Sequence, residues 1–167
     1  MRGHMADKLG ILLEGIGAAT LLLNKAVEKQ NAPESIGLQA GIIDSCLRVG
    51  LVLKAQLDSG TSDIDESLLN LSDDGSKIPE TTIYQRCLDA KVIDQKLYTS
   101  LSQAYEKRSR QVAGKLLTDV DNNFATQIVF EQDDILISVR ATIDHLEKQQ
   151  LKRGVGMTKL GPAATKR

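Results

Sequence analysis

The stretch Gly37-Leu-Gln-Ala-Gly-Ile-Ile-Asp-Ser-Cys-Leu-Arg-Val-Gly-Leu-Val-Leu-Lys54 decides the fold. Leu38, Ile42, Cys46, Val49 and Leu53, continued by Leu57, recur at spacings of three and four, which is one face of a helix. Upstream, Asn31-Ala32-Pro33 interrupts the chain, and Pro suits a first helical position, so this helix is predicted to begin near Pro33-Glu34-Ser35. Ser59-Gly60 ends it.

Working outward to the N-terminus, Met1-Arg2-Gly3-His4-Met5 reads as an expression scar, which leaves His145 as the one native histidine. A first helix is predicted from Asp7 to Lys29, with Leu9, Leu12, Leu13, Ile16, Ala19, Leu23 and Ala26 repeating at helical spacing. Small residues fall where it could cross its neighbour: Gly15, Ala18 and Ala19 in the first helix, Gly37 and Gly41 in the second. Gly inside a helix costs about 1 kcal/mol relative to Ala, so its placement suggests a close backbone approach. That approach is either an antiparallel pair within one chain or a contact between two copies.

Working outward to the C-terminus, the chain from Asp58 to Glu80 is acidic and polar, with a short helix expected over Ile64 to Leu71. No window in it has the ligand spacing of an EF-hand, so it reads as solvated loop. A third helix is expected from Glu80 to Ala90, and Asp94 looks like the cap of a fourth that runs to Leu117. On that fourth helix Leu97, Leu101, Ala104, Arg108 and Val112 share a face, which places Arg108 on the apolar stripe. Residues 118–123 read as a turn, and a last helix from Phe124 to Lys152 carries Ile128, Ile135, Val139, Ile143 and Leu146 inward. The segment from Gly154 to Arg167 has no periodicity and is predicted to be a disordered basic tail. The expectation is an all-α, up-and-down bundle of about five helices. Its divisions are residues 1–5 as scar, 6–152 as the bundle and 153–167 as the tail.

Composition agrees with this and removes several functions. Only 3% of residues are aromatic, and the apolar ones are mainly Leu, Ile, Val and Ala, a palette suited to helix packing. A net charge of −1 offers no global attraction to nucleic acid or an anionic membrane. The longest apolar stretch, Gly15 to Leu23, falls short of the roughly 20 residues of a membrane span. No cleavage pattern of a secretion signal follows it, so a cytoplasmic protein with no membrane segment is expected. Cys46 and Cys87 read as reduced core residues, and two distant Cys with one His make no metal-ligand pair. Neither glycine cluster, Gly10 to Gly17 or Gly154 to Gly161, has the Lys-Ser/Thr ending of a phosphate loop, so no cofactor is expected.

Positive charge gathers at Lys107, Arg108, Arg110 and Lys115, a candidate surface for RNA or a protein partner, although almost no aromatic residues interleave it to stack bases. The order of elements then becomes suggestive. The 37–54 stretch, the acidic insert and Lys96-Leu-Tyr-Thr-Ser-Leu-Ser-Gln-Ala-Tyr-Glu-Lys-Arg-Ser-Arg110 together resemble the HEPN (higher eukaryote and prokaryote nucleotide-binding) helical bundles over residues 8 to 150. The resemblance implies a dimer, and in catalytic members a metal-independent ribonuclease with Arg, four to six residues, then His. His would move a proton and Arg would stabilise charge on the phosphate. After Arg108 and Arg110 the expected His is replaced by Ala113, Gly114, Lys115, Leu116 and Leu117.

Arg140-Ala-Thr-Ile-Asp-His145 does satisfy the spacing, but residues five apart on a regular helix diverge by about 140°. The plainer reading is an Arg140–Asp144 surface pair beside a solvated His. The expectation is therefore a non-catalytic HEPN-like binding or scaffolding module, self-associating through Gly15 or Gly37 and Gly41, with a protein or RNA partner. The alternatives are a toxin- or defence-type ribonuclease using Arg140 and His145, and a helical interaction module outside that family.

Overall fold

The computed structural model of the chain describes residues 2–69, 78–115 and 122–156. They form six helices and, among the described residues, no strand: α1 (Arg2–Glu28), α2 (Ala32–Ser59), α3 (Glu66–Leu69), α4 (Glu80–Asp89), α5 (Gln95–Lys115) and α6 (Asn122–Arg153). The all-α expectation holds, and five of the six helices exceed two turns.

Local chemistry sets the boundaries. The Asn31 side chain accepts the Glu34 N–H at the start of α2 with Pro33 in the first turn, and Gly60 closes it in the left-handed region at φ 70°. Asp94 accepts the Leu97 N–H at 2.8 Å and caps α5 as expected. At the end of α4 the chain turns through Lys91 at φ 58°, and the Val92 N–H donates back to the Cys87 carbonyl at 2.8 Å. Helix α1 begins at Arg2, so the backbone of residues 2–5 is helical and continuous with it. Gly154 and Val155 return their N–H groups to Leu151 and Gln150, and Val155 packs on the core, so the first residues of the expected tail are folded; residues 157–167 lie outside the described residues. So do residues 70–77 of the acidic insert and most of the 118–123 turn.

Residues 37–54 of α2 form the axis of the bundle. Every residue from Cys46 to Leu53 is buried, because α1, α3, α4 and α6 all pack on α2. Helix α6 runs alongside α2 in the same direction: the Gln39 amide donates to the Val129 carbonyl at one end, and Gln150 donates to the Leu53 carbonyl and Gln56 Oε1 at the other. Midway, a Cβ on Gly50 would lie 3.0 Å from both Ile143 Cδ1 and Val92 Cγ1, so this glycine permits the close approach of α6 and the α4–α5 turn. The glycines singled out from sequence behave differently. Among the described residues, Gly15, Gly37 and Gly41 have nothing within 4 Å of a Cβ position, so none of them marks a tight crossing between the described helices.

A charged group lies at the centre of this apolar helix. Arg48 is fully buried; its Nε donates to Asp44 Oδ2 at 3.0 Å, and its two terminal nitrogens donate to the carbonyls of Leu68 at 3.3 Å and Ile78 at 2.7 Å. One guanidinium thus ties both flanks of the acidic insert to α2, using the planar fork of donors that Lys lacks.

Helix α1 is an edge helix. Leu9, Leu12, Leu23 and Ala26 are buried, yet Ile11, Leu13, Leu21, Leu22 and Val27 are exposed. Among the described residues two helices, Lys8–Glu28 and Ala32–Ser59, are by length and composition apolar enough to cross a membrane, which counting consecutive apolar residues does not reveal. In α2 that apolarity is the bundle core; in the α1 window only 17% is buried.

Candidate functional site

Two open grooves flank α5, and consecutive residues of that helix serve different ones. The larger, of about 1220 Å³, lies between α5, α6 and the α4–α5 turn. Its floor includes Val92, Leu97, Ala104 and Ile135, and its rim carries Lys107, Glu131, Asp134 and His145. Lys107 bridges the groove to Glu131, with Nζ 2.7 and 2.8 Å from the two carboxylate oxygens.

The smaller groove, of about 430 Å³, lies on the other side, between the N-terminal half of α2 and the start of α4. Gly37, Ala40 and Gly41 line it together with Asp44, Ile78, Pro79, Glu80 and Arg108. The missing side chains leave the α2 backbone open there, so the two glycines shape a groove.

Arg108 falls on the inner face of α5 as its spacing predicts, and there it is paired. Its guanidinium donates to Glu80 Oε2 at 2.6 Å, lies 5.3 Å from the centre of the Tyr105 ring, and is 14% exposed. Burial works against its charge, but the Glu80 carboxylate outweighs this and holds the guanidinium pKa above its ordinary value. The Tyr84 hydroxyl also donates to Glu80, and burial followed by that carboxylate pushes its pKa up.

The cationic patch is therefore not one face. Lys107 opens on the larger groove and Arg108 on the smaller, Arg110 lies exposed with Glu106 Oε2 at 3.6 Å, and the Lys115 side chain is outside the described residues. Arg140 and His145 are likewise separated. Arg140 donates to Thr20 Oγ1 on α1 at 3.1 Å, while His145 lines the larger groove with Nε2 2.8 Å from the Gln149 amide. The expected Arg140–Asp144 pair does not form; Asp144 accepts Lys148 at 2.6 Å. Nor are Gly15 and the Gly37/Gly41 pair brought together, since Gly15 is exposed on α1 and the others face the α4 side of α2.

Two functional candidates escaped the sequence reading. Glu80 was part of an acidic run, and its signal was the position after Pro79 with Tyr84 one turn on. Arg48 had a clearer one: Asp44 and Arg48, four apart, in an otherwise apolar run.

The two cysteines are free and buried, as expected. Burial, followed by the Asp44 charge, pushes the Cys87 thiol up to about 12, and burial raises Cys46. An aromatic disulfide reagent at pH 8 is expected to titrate neither thiol until the protein unfolds. The Cys87 contribution to stability is complete below the ordinary thiol value of 9.0 and is lost as pH rises toward 12, because the unfolded thiol ionises first. Prompt labelling of the folded protein would contradict this burial.

The fold and grooves define a class, an all-α bundle with open interhelical clefts; among the described residues no cluster of three His, Cys, Asp or Glu is placed to hold a metal. No protein-family model, curated protein or solved structure matches the chain.

Proposed function

We propose that this chain is a non-catalytic, HEPN-like binding module that acts through a protein partner received in the groove between α5 and α6. The observation that carries the reading is the groove itself: an apolar floor between two helices, rimmed by residues of both signs, which suits an amphipathic helix. Protein is favoured over RNA because Lys107 and Arg108 already bond Glu131 and Glu80, which leaves less charge to neutralise phosphates. Resemblance in helix order supports the family assignment.

The ribonuclease alternative needs Arg140 and His145 to act on one phosphate, and they serve different surroundings. Incubation of the protein with single-stranded and hairpin RNA in chelator is expected to leave the RNA intact. Cleavage that falls about 10²-fold or more in His145→Ala would move the assignment to the ribonuclease. For the binding role, a protein retained by wild type is expected to be lost with Ala141→Arg, which places a bulky charge in the groove. Equal retention by that variant would remove the groove from the function.

A further inference from the structure

The outer face of α1 has an order of residues that complements itself. At 100° per residue, Glu14, Ala18, Leu21 and Lys25 lie within an arc of about 60°, opposite the buried Leu9, Leu12, Leu23 and Ala26. All four are exposed, and Ile11 and Leu22 border them with 63% and 49% of their surface in solvent. Leu21 is 66% exposed. Among the described residues neither Glu14 nor Lys25 has an ion-pair partner within the chain.

We propose that α1 is a self-association surface, on which two copies pair their α1 helices antiparallel about a two-fold axis between residues 19 and 20. This register places Glu14 against the partner's Lys25 and, by symmetry, Lys25 against the partner's Glu14. Charge is thereby matched at both ends of a contact about 16 Å long. Between the two ion pairs, large meets small. Leu21 falls beside the partner's Ala18 and Gly17, and Leu22 beside the partner's Gly15 and Ala18. Gly15 and Gly17 are mid-helix glycines with nothing near them among the described residues, and the paired helix supplies what their missing side chains accommodate.

A lipid surface is the competing occupant, since α1 reaches the length and apolarity of a span. It is disfavoured by Glu14 and Lys25, which sit on the very face that would be immersed, where each charge is costly. In the helix pair the same two charges neutralise each other. The α1 face is a different surface from the groove between α5 and α6, so either role can fail without the other.

Sedimentation equilibrium of the full chain up to about 100 µM, a range suited to an interface at the small end of the size scale, is expected to show a dimer. Glu14→Lys and Lys25→Glu are each expected to weaken it by about 10-fold or more, because each reversal turns two attractions into two repulsions. The double reversal E14K/K25E is expected to restore it. Leu21→Asp, at a position already two-thirds exposed in the bundle, is expected to give a monomer of unchanged helicity by circular dichroism. A monomeric wild type, single reversals without effect, or a double reversal that fails to restore dimerisation would overturn the proposal. So would flotation of the wild type with vesicles of phosphatidylcholine and phosphatidylglycerol in place of self-association, which would assign the face to lipid.

Discussion

Replacing Arg48 with Met is expected to lower the unfolding free energy by about 3–5 kcal/mol, the scale on which breaking one partner of a buried ion pair is felt. The side chain is fully buried, so its loss leaves Asp44 in the interior without the Arg48 charge, and takes the donors from the Leu68 and Ile78 carbonyls. Both parts cost free energy, since an interior polar group without its hydrogen bond has given up water for nothing. Arg48→Lys keeps the charge but loses the fork, and should fall between wild type and Met. The pair D44L/R48M should recover part of the loss, because the buried carboxylate is removed together with the cation that faces it, while the two carbonyls stay without Arg48. Urea unfolding followed by circular dichroism reads these differences, and amide exchange should rise first in α3 and around Ile78, which Arg48 ties down. A loss below about 1 kcal/mol in Arg48→Met would mean that the tie adds little to stability.

The second large effect is a gain. Gln132 lies on the inward face of α6 and is 1% exposed, and among the described residues neither its amide oxygen nor its nitrogen has a hydrogen-bond partner. Desolvating such a group without compensation costs about 1–3 kcal/mol, so Gln132→Met, nearly equal in length and volume, is expected to stabilise the bundle by an amount on that order. Gln39 provides the contrast. Its nitrogen donates to the Val129 carbonyl across the α2–α6 contact at 3.1 Å, so Gln39→Met exchanges a real hydrogen bond for packing and should not match the gain. The measurement is the shift in unfolding midpoint of the two variants side by side. Destabilisation by Gln132→Met would show that its amide is satisfied in solution.

The binding assignment rests on groove shape and charge, and each of these joins elements far apart in sequence. Lys107 and Glu131 meet across the larger groove from α5 and α6, and Glu80 meets Arg108 across the smaller one from α4 and α5. Neither pair has a local signature. By contrast, the i,i+4 pairs Asp44–Arg48 and Asp144–Lys148 were open to reading from spacing alone, and only the first is buried. The difference between a central tie and a solvated surface pair is environment, which spacing does not carry.

The set of helices and most of their inward faces were legible in the sequence; Leu13 repeats with the buried leucines of α1 yet is exposed, because α1 packs at the edge of the bundle. Apolar spacing of three and four, Asn31 with Pro33, Gly60, Pro79 and Asp94 act within a turn or two of the chain, and the helices begin and end close to where those signals stand. Which helix is central, and what each special residue does there, follows from the packing of the helices and not from any one segment. Gly50, unremarked in sequence, sits at the tight approach to α6, whereas Gly37 and Gly41 open a groove; Lys107 and Arg108, neighbours in the chain, face separate clefts; Arg140 and His145, which share a motif, point to different partners. The difference is one of range. Helix formation and capping are local hydrogen-bond and dihedral effects, but burial, pairing and access depend on how helices that are rigid over many residues pack against one another. That arrangement is set by the sum of contacts over the whole core.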